Sequence, residues 1–494
     1  YIVVFCNMWK WVLLLVLVIL SPVIYLVVFT VYWRHHHRCL LKLPGPPGGI
    51  LFGNFPQLAA RKDDYLVLVQ EFLQTYGPIW RLLGFKHSVF LAGADAVRDV
   101  MKKDTPKGFT YNFLHPWLGI GLLTSNGDVW RRKRRLLTPA FHFKILRGYL
   151  KVFTSETEIL IEKWKKYAES GESFDIFPEI TCLTLDIIGR CAFGYHINAQ
   201  NKPLSDYVVS TKRASQTIFD RTFHPFYWFE FIYRFTGHSR QFRRDIKTIH
   251  DLPNTVIKNR REEYARLNIQ EEHQLNRDVD FLDMLMCVQD EPLKDEEIRD
   301  EVDTFMFEGH DTTASGLTWC LYLLAAHPDV QAKVHDEIDQ VLGDRLAPDY
   351  EDLDKFPYTT MVIKEALRLY PPVPFLARMT EEPLEILGYE IPTNTEIFLS
   401  PYLIHRNPKD WPNVKDLNAF DPENFSPEKM KNRDPFAFIP FSAGNRNCIG
   451  QNFAMNEEKC VIVMLMKQFR LRLEPGQKIE PEPNLVLRPK YGIR

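Results

Sequence analysis

The spacing of hydrophobic positions predicts helices along most of the chain after residue 50. Apolar residues recur at helical intervals over four long stretches, at 129–149, 156–169, 252–267 and 297–325. Runs with strand character are short, and the clearest lie at 88–91 and 396–399. Since no internal repeat or inner linker divides this part of the sequence, we predict one large, mainly α domain with small β-sheets over residues 50–494.

A long uncharged run precedes this domain. Residues 11–33 carry no charged side chain, and at a rise of about 1.5 Å per residue a helix of this length crosses a hydrocarbon core of roughly 30 Å. Lys10 precedes the run, whereas Arg34, Arg38 and Lys42 follow it, which places the C-terminal side in the cytosol. A cleaved signal peptide is the alternative, but its hydrophobic region is shorter and ends in small residues. We therefore predict one N-terminal transmembrane anchor.

Two short segments flank the predicted anchor. Residues 1–10 form an N-terminal segment in which Met8 makes a suitable start, so we expect residues 1–7 to lie upstream of it. Residues 34–49 are first basic and then rich in proline and glycine, with the run LPGPPG at 43–48. This run excludes helix and sheet. We interpret residues 34–49 as a hinge that sets the orientation of the domain on a lipid bilayer.

Net charge and cysteine usage limit the possible classes of protein. The formal net charge is −2, so a partner attracted by charge must use a local patch, and we expect no nucleic acid. The eight cysteines are scattered without a CxxC pair. This pattern argues against a disulfide framework or a structural zinc site, and it fits a reducing compartment. Only Cys448 lies in an unusual setting.

That setting is the loop FIPFSAGNRNCIG at residues 438–450. Its proline, serine, glycine and asparagine residues predict turns, and an apolar helix is predicted at 449–466. A helix N-terminus favours a thiolate, the form of cysteine that binds a metal. Gly450 removes side-chain bulk where a flat macrocycle could lie, and Arg446 supplies a cation suited to a carboxylate. A lone cysteine is otherwise more often a buried hydrophobic residue than a ligand.

A polar turn interrupts the apolar helix predicted around residues 301–316. Glu308 and Thr312 are four residues apart and therefore share one face of the helix. Gly309 lowers helix propensity, and the hydroxyls of Thr312 and Thr313 can bond back to backbone carbonyls and bend the helix. A solvated kink is the structural alternative to a functional site.

The cysteine loop resembles the heme-binding loop of the cytochromes P450, whose pattern is FxxGxRxCxG. Phe441, Gly444, Arg446, Cys448 and Gly450 all match it. The resemblance implies the fold of that superfamily and a heme b cofactor with Cys448 as the axial ligand of the iron. A thiolate ligand pushes electron density onto iron and favours cleavage of the O–O bond.

The polar turn resembles the (A/G)GxDTT motif of the same superfamily. By this resemblance, Thr312 is the hydroxyl that steadies dioxygen and Asp311 relays protons toward it. Glu308 stands where the general pattern has alanine or glycine, and this departure is similar to family four, the fatty-acid ω-hydroxylase branch. In that branch the equivalent glutamate can form an ester with a heme methyl group, so the resemblance suggests a covalent link through Glu308.

Further motifs follow in the order typical of the superfamily. Glu365 and Arg368 match an ExxR pair that is a scaffold rather than part of the chemistry, and alone this pair is weak because solvated helices contain many. Asn424 replaces the usual arginine of an FxPERF element, and a neutral amide cannot make a bidentate ion pair. Trp130 and Arg134 match a WxxxR pair that reaches a heme propionate.

Two further basic features fit the same interpretation. Arg378 is an additional candidate for contact with a propionate. The cluster RRKRR at 131–135 could be a nuclear-localisation or nucleic-acid patch on its own. Beside a membrane anchor, it better fits docking of an acidic electron donor.

Together these resemblances imply an enzyme of the endoplasmic reticulum membrane that uses O2 and NADPH. It would hydroxylate a lipophilic substrate, a fatty acid or eicosanoid, at or near its ω position. The sequence has no GxGxxG motif, so electrons would come from NADPH–cytochrome P450 reductase, with cytochrome b5 as a possible second donor. The alternatives are an O2-independent isomerase or dehydratase on the same fold, whose relatives typically lose the Asp311–Thr312 pair, and a non-enzymatic heme-binding sensor. We also expect a few C-terminal residues beyond Arg494.

Overall fold

A computed structural model describes residues 38–49, 52–84, 86–202, 206–267, 279–288 and 292–494, together with isolated helical positions between Leu20 and His35. Residues 1–10 and most of the predicted anchor at 11–33 lie outside the described residues. Within the described part of the chain, no helix combines the length and apolar character needed to cross a membrane.

Helices make up most of the described chain. The long ones are α2 (Tyr65–Tyr76), α5 (Gly127–Leu137), α6 (Phe143–Ser170), α7 (Ile176–Phe193), α8 (Asp206–Phe223), α10 (Gly237–Leu267), α12 (Asp295–Ala326), α13 (Pro328–Leu342), α14 (Pro357–Leu369) and α17 (Gln451–Gln468). Shorter ones are α1 (Phe55–Ala60), α3 (Ala94–Lys102), α4 (His115–Leu118), α9 (Glu230–Tyr233), α11 (Phe281–Met286), α15 (Pro401–Ile404) and α16 (Pro427–Met430).

The strands are short and form small sheets beside the helices. They are β1 (Ile79–Leu82), β2 (Ser88–Leu91), β3 (Leu376–Met379), β4 (Leu384–Ile386), β5 (Tyr389–Ile391), β6 (Glu396–Leu399), β7 (Pro481–Glu482) and β8 (Arg488–Pro489). Four of them form one sheet in the order β1-β2-β6-β3. Its central pair, β2 and β6, is parallel, with Ser88 opposite Glu396. The predicted mainly α architecture and the strands at 88–91 and 396–399 are confirmed.

Helix α12 runs through the main hydrophobic core and packs against α7, α14 and α17. It is buried nearly all round, from Ile298 to Leu324. Such a helix needs no polar face, and a polar turn within it is therefore placed among packed side chains rather than in solvent. The predicted helix at 297–325 agrees with α12 to within two residues.

Three of the predicted helices differ in their bounds. The stretch 156–169 is the second half of α6, which starts at Phe143. The stretch 129–149 is not one helix, because α5 ends at Leu137 and a 3-10 turn over Thr138–Phe141 precedes α6. Pro139 explains the break, since proline has no amide hydrogen to donate to the preceding turn. The stretch 252–267 is the second half of α10, which starts at Gly237 and continues through Pro253.

The hinge lies against the sheet. Arg38–Lys42 forms a 3-10 turn, and the LPGPPG run that follows it is neither helix nor strand, as predicted. The amide of Arg81 in β1 donates to the carbonyl of Pro44 at 2.9 Å. The end of the hinge is thereby attached to the first strand of the domain, although the boundaries of the predicted segments remain predictions.

Candidate functional site

One cavity collects most of the residues predicted to form the site. Its walls come from α12, the β1–β2 turn, β3, the chain at 107–123 and the cysteine loop at 438–450. Among the predicted residues that line it are Trp130, Arg134, Glu308, Thr312, Arg378, Arg446 and Cys448. These residues come from four separate parts of the sequence, so the fold brings them together.

The cysteine loop has a backbone that depends on glycine. Gly444 has a φ of +68°, and a Cβ there would collide with the carbonyl oxygen of Met101. Any other residue would therefore be strained and would push the loop away from α3. The amide of Cys448 donates to the carbonyl of Phe441 at 2.9 Å, which closes the loop. The ring of Phe441 packs against the main core.

Cys448 lies on the floor of the cavity, where protein surrounds it. Helix α17 begins three residues later, at Gln451 rather than at 449. Burial raises the pKa of the Cys448 thiol to about 11, and Glu308 adds to this, whereas the Gly450 amide and the charges of Arg134 and Lys107 oppose it. The helix start, which was predicted to favour the thiolate, is thus one of several influences on the pKa of Cys448. A bound metal cation would favour the thiolate over the thiol.

Arg446 points from the loop toward the side wall of the cavity. Its Nη2 donates to the carbonyl of Ser125 at 2.7 Å, and its guanidinium lies 4.2 Å from the centre of the Trp130 ring. Its Nε and Nη1 are buried and have no hydrogen-bond partner among the described residues. Burial and the nearby Arg378 lower the pKa of Arg446 to about 10. Two donors of a buried cation are therefore left for an anionic ligand.

Two more arginines approach the same wall. Arg134 of α5 donates to the carbonyl and side-chain oxygens of Asn447, both at 2.8 Å, and so fixes the residue before the cysteine. Arg378 of β3 is 2% exposed and donates to the carbonyl of Ala377 at 3.1 Å. Burial lowers the pKa of Arg378.

Lys107 is a fourth cation of this wall that the motifs did not indicate. It forms a β-bridge with Arg378, and its Nζ lies 4.8 Å from the centre of the Tyr111 ring. Burial lowers the pKa of Lys107, as do the charges of Arg378 and Arg446, while Glu308 and Cys448 raise it. No local motif marks Lys107, because only the pairing of residues 106–108 with β3 brings it to the cavity.

The residues present fit a heme. Four cations stand on one wall, and two arginine donors there lack a partner, which suits two propionate groups. Cys448 offers sulfur from the floor. A Cβ on Gly450 would meet only Phe141 and the cysteine sulfur, both at ordinary contact distance, so this position leaves a flat space beside the ligand.

The polar turn of α12 forms another part of the cavity wall. Glu308 and Thr312 both line the cavity, and the Thr312 hydroxyl donates to the carbonyl of Glu308 at 2.6 Å. This is the bond from a side chain to the backbone that was predicted to bend the helix at this turn. Burial raises the pKa of Glu308 to about 7, partly offset by Lys107. The carboxyl group of Glu308 makes no hydrogen bond among the described residues, so it is available to a ligand.

Asp311 lies on another face of α12. It is 1% exposed, does not line the cavity, and forms an ion pair with Arg488 of β8. The structure therefore brings Thr312 to the cavity but places Asp311 behind it. A proton relay through Asp311 remains a prediction. It requires the Asp311 carboxylate to leave its ion pair with Arg488.

The predicted scaffold residues meet at full burial. Arg368 donates to both oxygens of Glu365, each at 2.7 Å, and both side chains are 0% exposed. Arg368 also reaches the carbonyls of His405, Leu417 and Ala419. Asn424 donates to Glu365 at 3.0 Å, so its amide contacts the acid but not the arginine.

The basic cluster at 131–135 is smaller on the surface than its sequence suggests. Lys133 is buried and forms an ion pair with Glu301 of α12 at 2.7 Å. Arg131 pairs with Asp128 and Asp104. The exposed cations of the cluster are therefore Arg131, Arg132 and Arg135.

The comparisons agree with this site. The sequence model described as Cytochrome P450 matches residues 43–494. Cytochrome P450 4B1 of Rattus norvegicus is 38% identical over 487 residues, covering 96% of this chain and 94% of the relative. Ultra-long-chain fatty acid omega-hydroxylase of Homo sapiens is 40% identical over 476 residues, covering 92% and 88%. Cytochrome P450 4V2 of Mus musculus is 43% identical over 404 residues, covering 79% and 76%.

The predicted resemblance to family four is confirmed, since the similar relatives carry family-four names. The family model matches most of the chain, and the chain covers almost the full length of a similar relative. The chain belongs to the cytochrome P450 family and is a P450 monooxygenase.

Proposed function

We propose that the protein is a membrane-bound ω-hydroxylase of fatty acids or eicosanoids. The observation that supports this most directly is Glu308, a carboxylic acid on the cavity wall, at the position where family four departs from the general pattern. A relative that covers most of the chain is named an ultra-long-chain fatty acid omega-hydroxylase. The walls beyond Glu308 are mainly apolar, as a hydrocarbon chain requires.

Each part of the chain then has a distinct task. When bound, a heme with a thiolate ligand supplies the activation of O2 needed to insert one oxygen atom into a C–H bond. Cys448 would hold the iron, and Lys107, Arg134, Arg378 and Arg446 would hold the propionates. Thr312 presents a hydroxyl on the substrate side.

Purified protein reconstituted with NADPH–cytochrome P450 reductase should consume NADPH and O2 when a fatty acid is added, and should release the hydroxylated acid. Product analysis by mass spectrometry locates the hydroxyl group, and omission of the reductase is the control. An isomerase, a dehydratase or a heme-binding sensor would consume neither NADPH nor O2. A product without such consumption would therefore overturn the proposal.

We further propose that Glu308 becomes esterified to a heme methyl group during turnover. A carboxyl oxygen of Glu308 would form the new C–O bond and the methyl carbon would lose one C–H bond. This is a two-electron oxidation for which O2, reduced to water with two further electrons from NADPH, is the oxidant. The free carboxyl group on the cavity wall and the raised pKa of Glu308 support this, because a partly neutral acid lies near the position of a macrocycle above Cys448. A rigid, linked heme would restrict access and favour the terminal C–H bond of the substrate.

Glu308→Gln should leave heme binding intact but make all of the heme extractable. After turnover, acidified organic solvent is expected to leave a large fraction of heme on the unsubstituted protein and none on the variant. Chromatography with detection of heme absorbance on the protein peak gives the measurement. Complete extraction of heme from the unsubstituted protein after turnover would contradict the ester.

One surface of the domain supports the electron-donor partners that the sequence predicts. The exposed arginines of α5, on the side of the domain where Arg134 reaches the cysteine loop, suit an acidic reductase or cytochrome b5.

Exposed aromatic and aliphatic side chains form a patch around α9, at Phe226, Phe229, Phe231, Ile232 and Phe235. Phe226 contacts Phe52, close to the hinge, with ring centres 6.0 Å apart. This patch supports contact of the domain with the endoplasmic reticulum membrane.

A further inference from the structure

Asp303 is a buried acid on the part of α12 that packs against α10. It is 0% exposed, and neither oxygen of its carboxyl group makes a hydrogen bond within the described part of the chain. Two groups that can carry a positive charge lie near its Oδ2, namely the Nε2 of His250 at 3.5 Å and the Nε of Arg299 at 4.0 Å. A buried carboxyl group without a hydrogen bond costs free energy. Because Asp303 does not line the cavity, it would contact neither heme nor substrate.

His250 of α10 connects Asp303 to the surface. Its Nε2 lies 2.9 Å from the carbonyl oxygen of Trp117, and since a carbonyl oxygen only accepts, Nε2 carries a hydrogen. The other ring nitrogen is then the one that can take up a proton. The side chain of His250 is 19% exposed, so water reaches the ring. An imidazole that gains a proton at one nitrogen and releases the proton of the other is suited to transfer between solvent and a buried acid.

Tyr207 of α8 lies between Asp303 and Asp311. The two acids are eight residues apart on α12, a rise of about 12 Å, which is too far for direct proton transfer. Tyr207 is 4% exposed, and its ring centre lies 5.7 Å from that of His310, the residue before Asp311. Burial raises the pKa of Tyr207, and the charges of Asp303 and Asp311 add to this. The hydroxyl of Tyr207 therefore lies within electrostatic range of both carboxyl groups.

Asp311 is the inner end of this series. Its ion-pair partner Arg488 has two buried donors, Nε and Nη1, that make no hydrogen bond to any residue the structure describes. Buried polar groups of this kind are usually bridged by ordered water, and a water can also pass a proton between groups that do not touch. The residue after Asp311 is Thr312, which lines the cavity.

Hydroxylation needs a supply of protons at this inner end. Substrate, O2, two electrons and two protons give the hydroxylated product and one water, so every turnover consumes two protons. Burial raises the pKa of Asp303, partly offset by the charge of Arg299, and a neutral Asp303 has a proton to give.

We propose that His250, Asp303 and Tyr207 form a proton route from solvent to Asp311, with water bridging the gaps between them. His250 takes a proton from solvent and passes one to Asp303, which has passed its own proton through Tyr207 toward Asp311. The route replaces each proton that Asp311 gives to the reaction. It rests on the monooxygenase activity and on the relay role predicted for Asp311, and not on the identity of the substrate.

Asp303→Asn should lower kcat for hydroxylation of dodecanoate by about 100-fold, the lower end of the effect of a positioned proton-transfer group. KM and heme content should stay the same, because Asp303 does not line the cavity. The ratio of kcat in H2O to kcat in D2O should rise, because proton transfer becomes the slow step. His250→Gln should have the same effects, and the double variant should be no slower than Asp303→Asn, because both residues act in one route. Asp303→Glu, which restores an acid, should recover most of the rate.

Asp245→Asn is the matched control. Asp245 is a 1% exposed acid of α10 that pairs with Arg213 of α8 at 2.6 Å, so this variant removes a buried carboxylate between helices but leaves the route intact. Its kcat and its solvent isotope effect should match those of the unsubstituted protein. An unchanged isotope effect in both Asp303→Asn and His250→Gln, or an equal loss of kcat in Asp245→Asn, would overturn the route. If the unsubstituted protein does not hydroxylate dodecanoate, the proposed substrate is wrong, and the same isotope effects are then compared on O2 consumption with the reductase.

Discussion

Cys448→Ala should abolish the thiolate-type carbon-monoxide spectrum and reduce hydroxylation to background. Cys448 is the sulfur on the cavity floor, and the Gly450 amide and the charge of Arg134 stabilise its ionised form. Alanine has no atom that can bind iron, and no other cysteine of the described residues lines this cavity. The measurement is the difference spectrum of the reduced protein with and without carbon monoxide, together with the heme content of each preparation.

Cys39→Ala is the control, because Cys39 lies in the 3-10 turn of the hinge, away from the cavity. This variant should keep both the spectrum and the heme content. Cys448→His should still bind heme through an imidazole but lose the thiolate-type band. If Cys448→Ala kept that band, another residue would have to be the ligand and the assignment of the site would be wrong.

The parts of the site that sequence predicts are those with local geometry. The cysteine loop holds its glycine, arginine and cysteine within a few residues, so a short pattern contains the turn at Gly444 and the position of Arg446. The two strands predicted at 88–91 and 396–399 are likewise short and strongly apolar. Local preference and tertiary packing agree at these places.

The parts that sequence does not predict depend on contacts between distant segments. Lys107 becomes part of the cation set only because it pairs with β3, about 270 residues later. Lys133 looks like a surface cation in the run RRKRR, yet Glu301 of α12 holds it in the interior. Asp311 follows the family motif, but it lies on another face of α12 and pairs there with Arg488 of the last described strand. No periodicity or spacing encodes these pairings.

The buried pair Glu365–Arg368 is another such contact, and its energetic role follows from its burial. Removing a charge from water costs several kcal/mol per ion, and only good geometry and further hydrogen bonds offset that cost. Arg368 has both, through the two oxygens of Glu365 and three backbone carbonyls. Asn424 adds a hydrogen bond to the acid but no charge, so Glu365 is the carboxylate on which Arg368 depends.

Glu365→Ala should therefore lower the free energy of unfolding by about 3–5 kcal/mol, since it leaves a buried arginine without its counter-charge. Asn424→Ala removes hydrogen bonds to Glu365 and Lys429 but no charge, and it should cost only about 1–3 kcal/mol. Chemical denaturation of the heme-loaded proteins, followed by circular dichroism, compares them. Glu162→Ala is the matched control, because Glu162 and Lys165 have the same sequence spacing and the same 2.7 Å distance on the exposed face of α6. It should change stability by less than about 1 kcal/mol. Equal losses from Glu365→Ala and Glu162→Ala would show that burial of the pair does not determine its contribution, and the scaffold role would then be wrong.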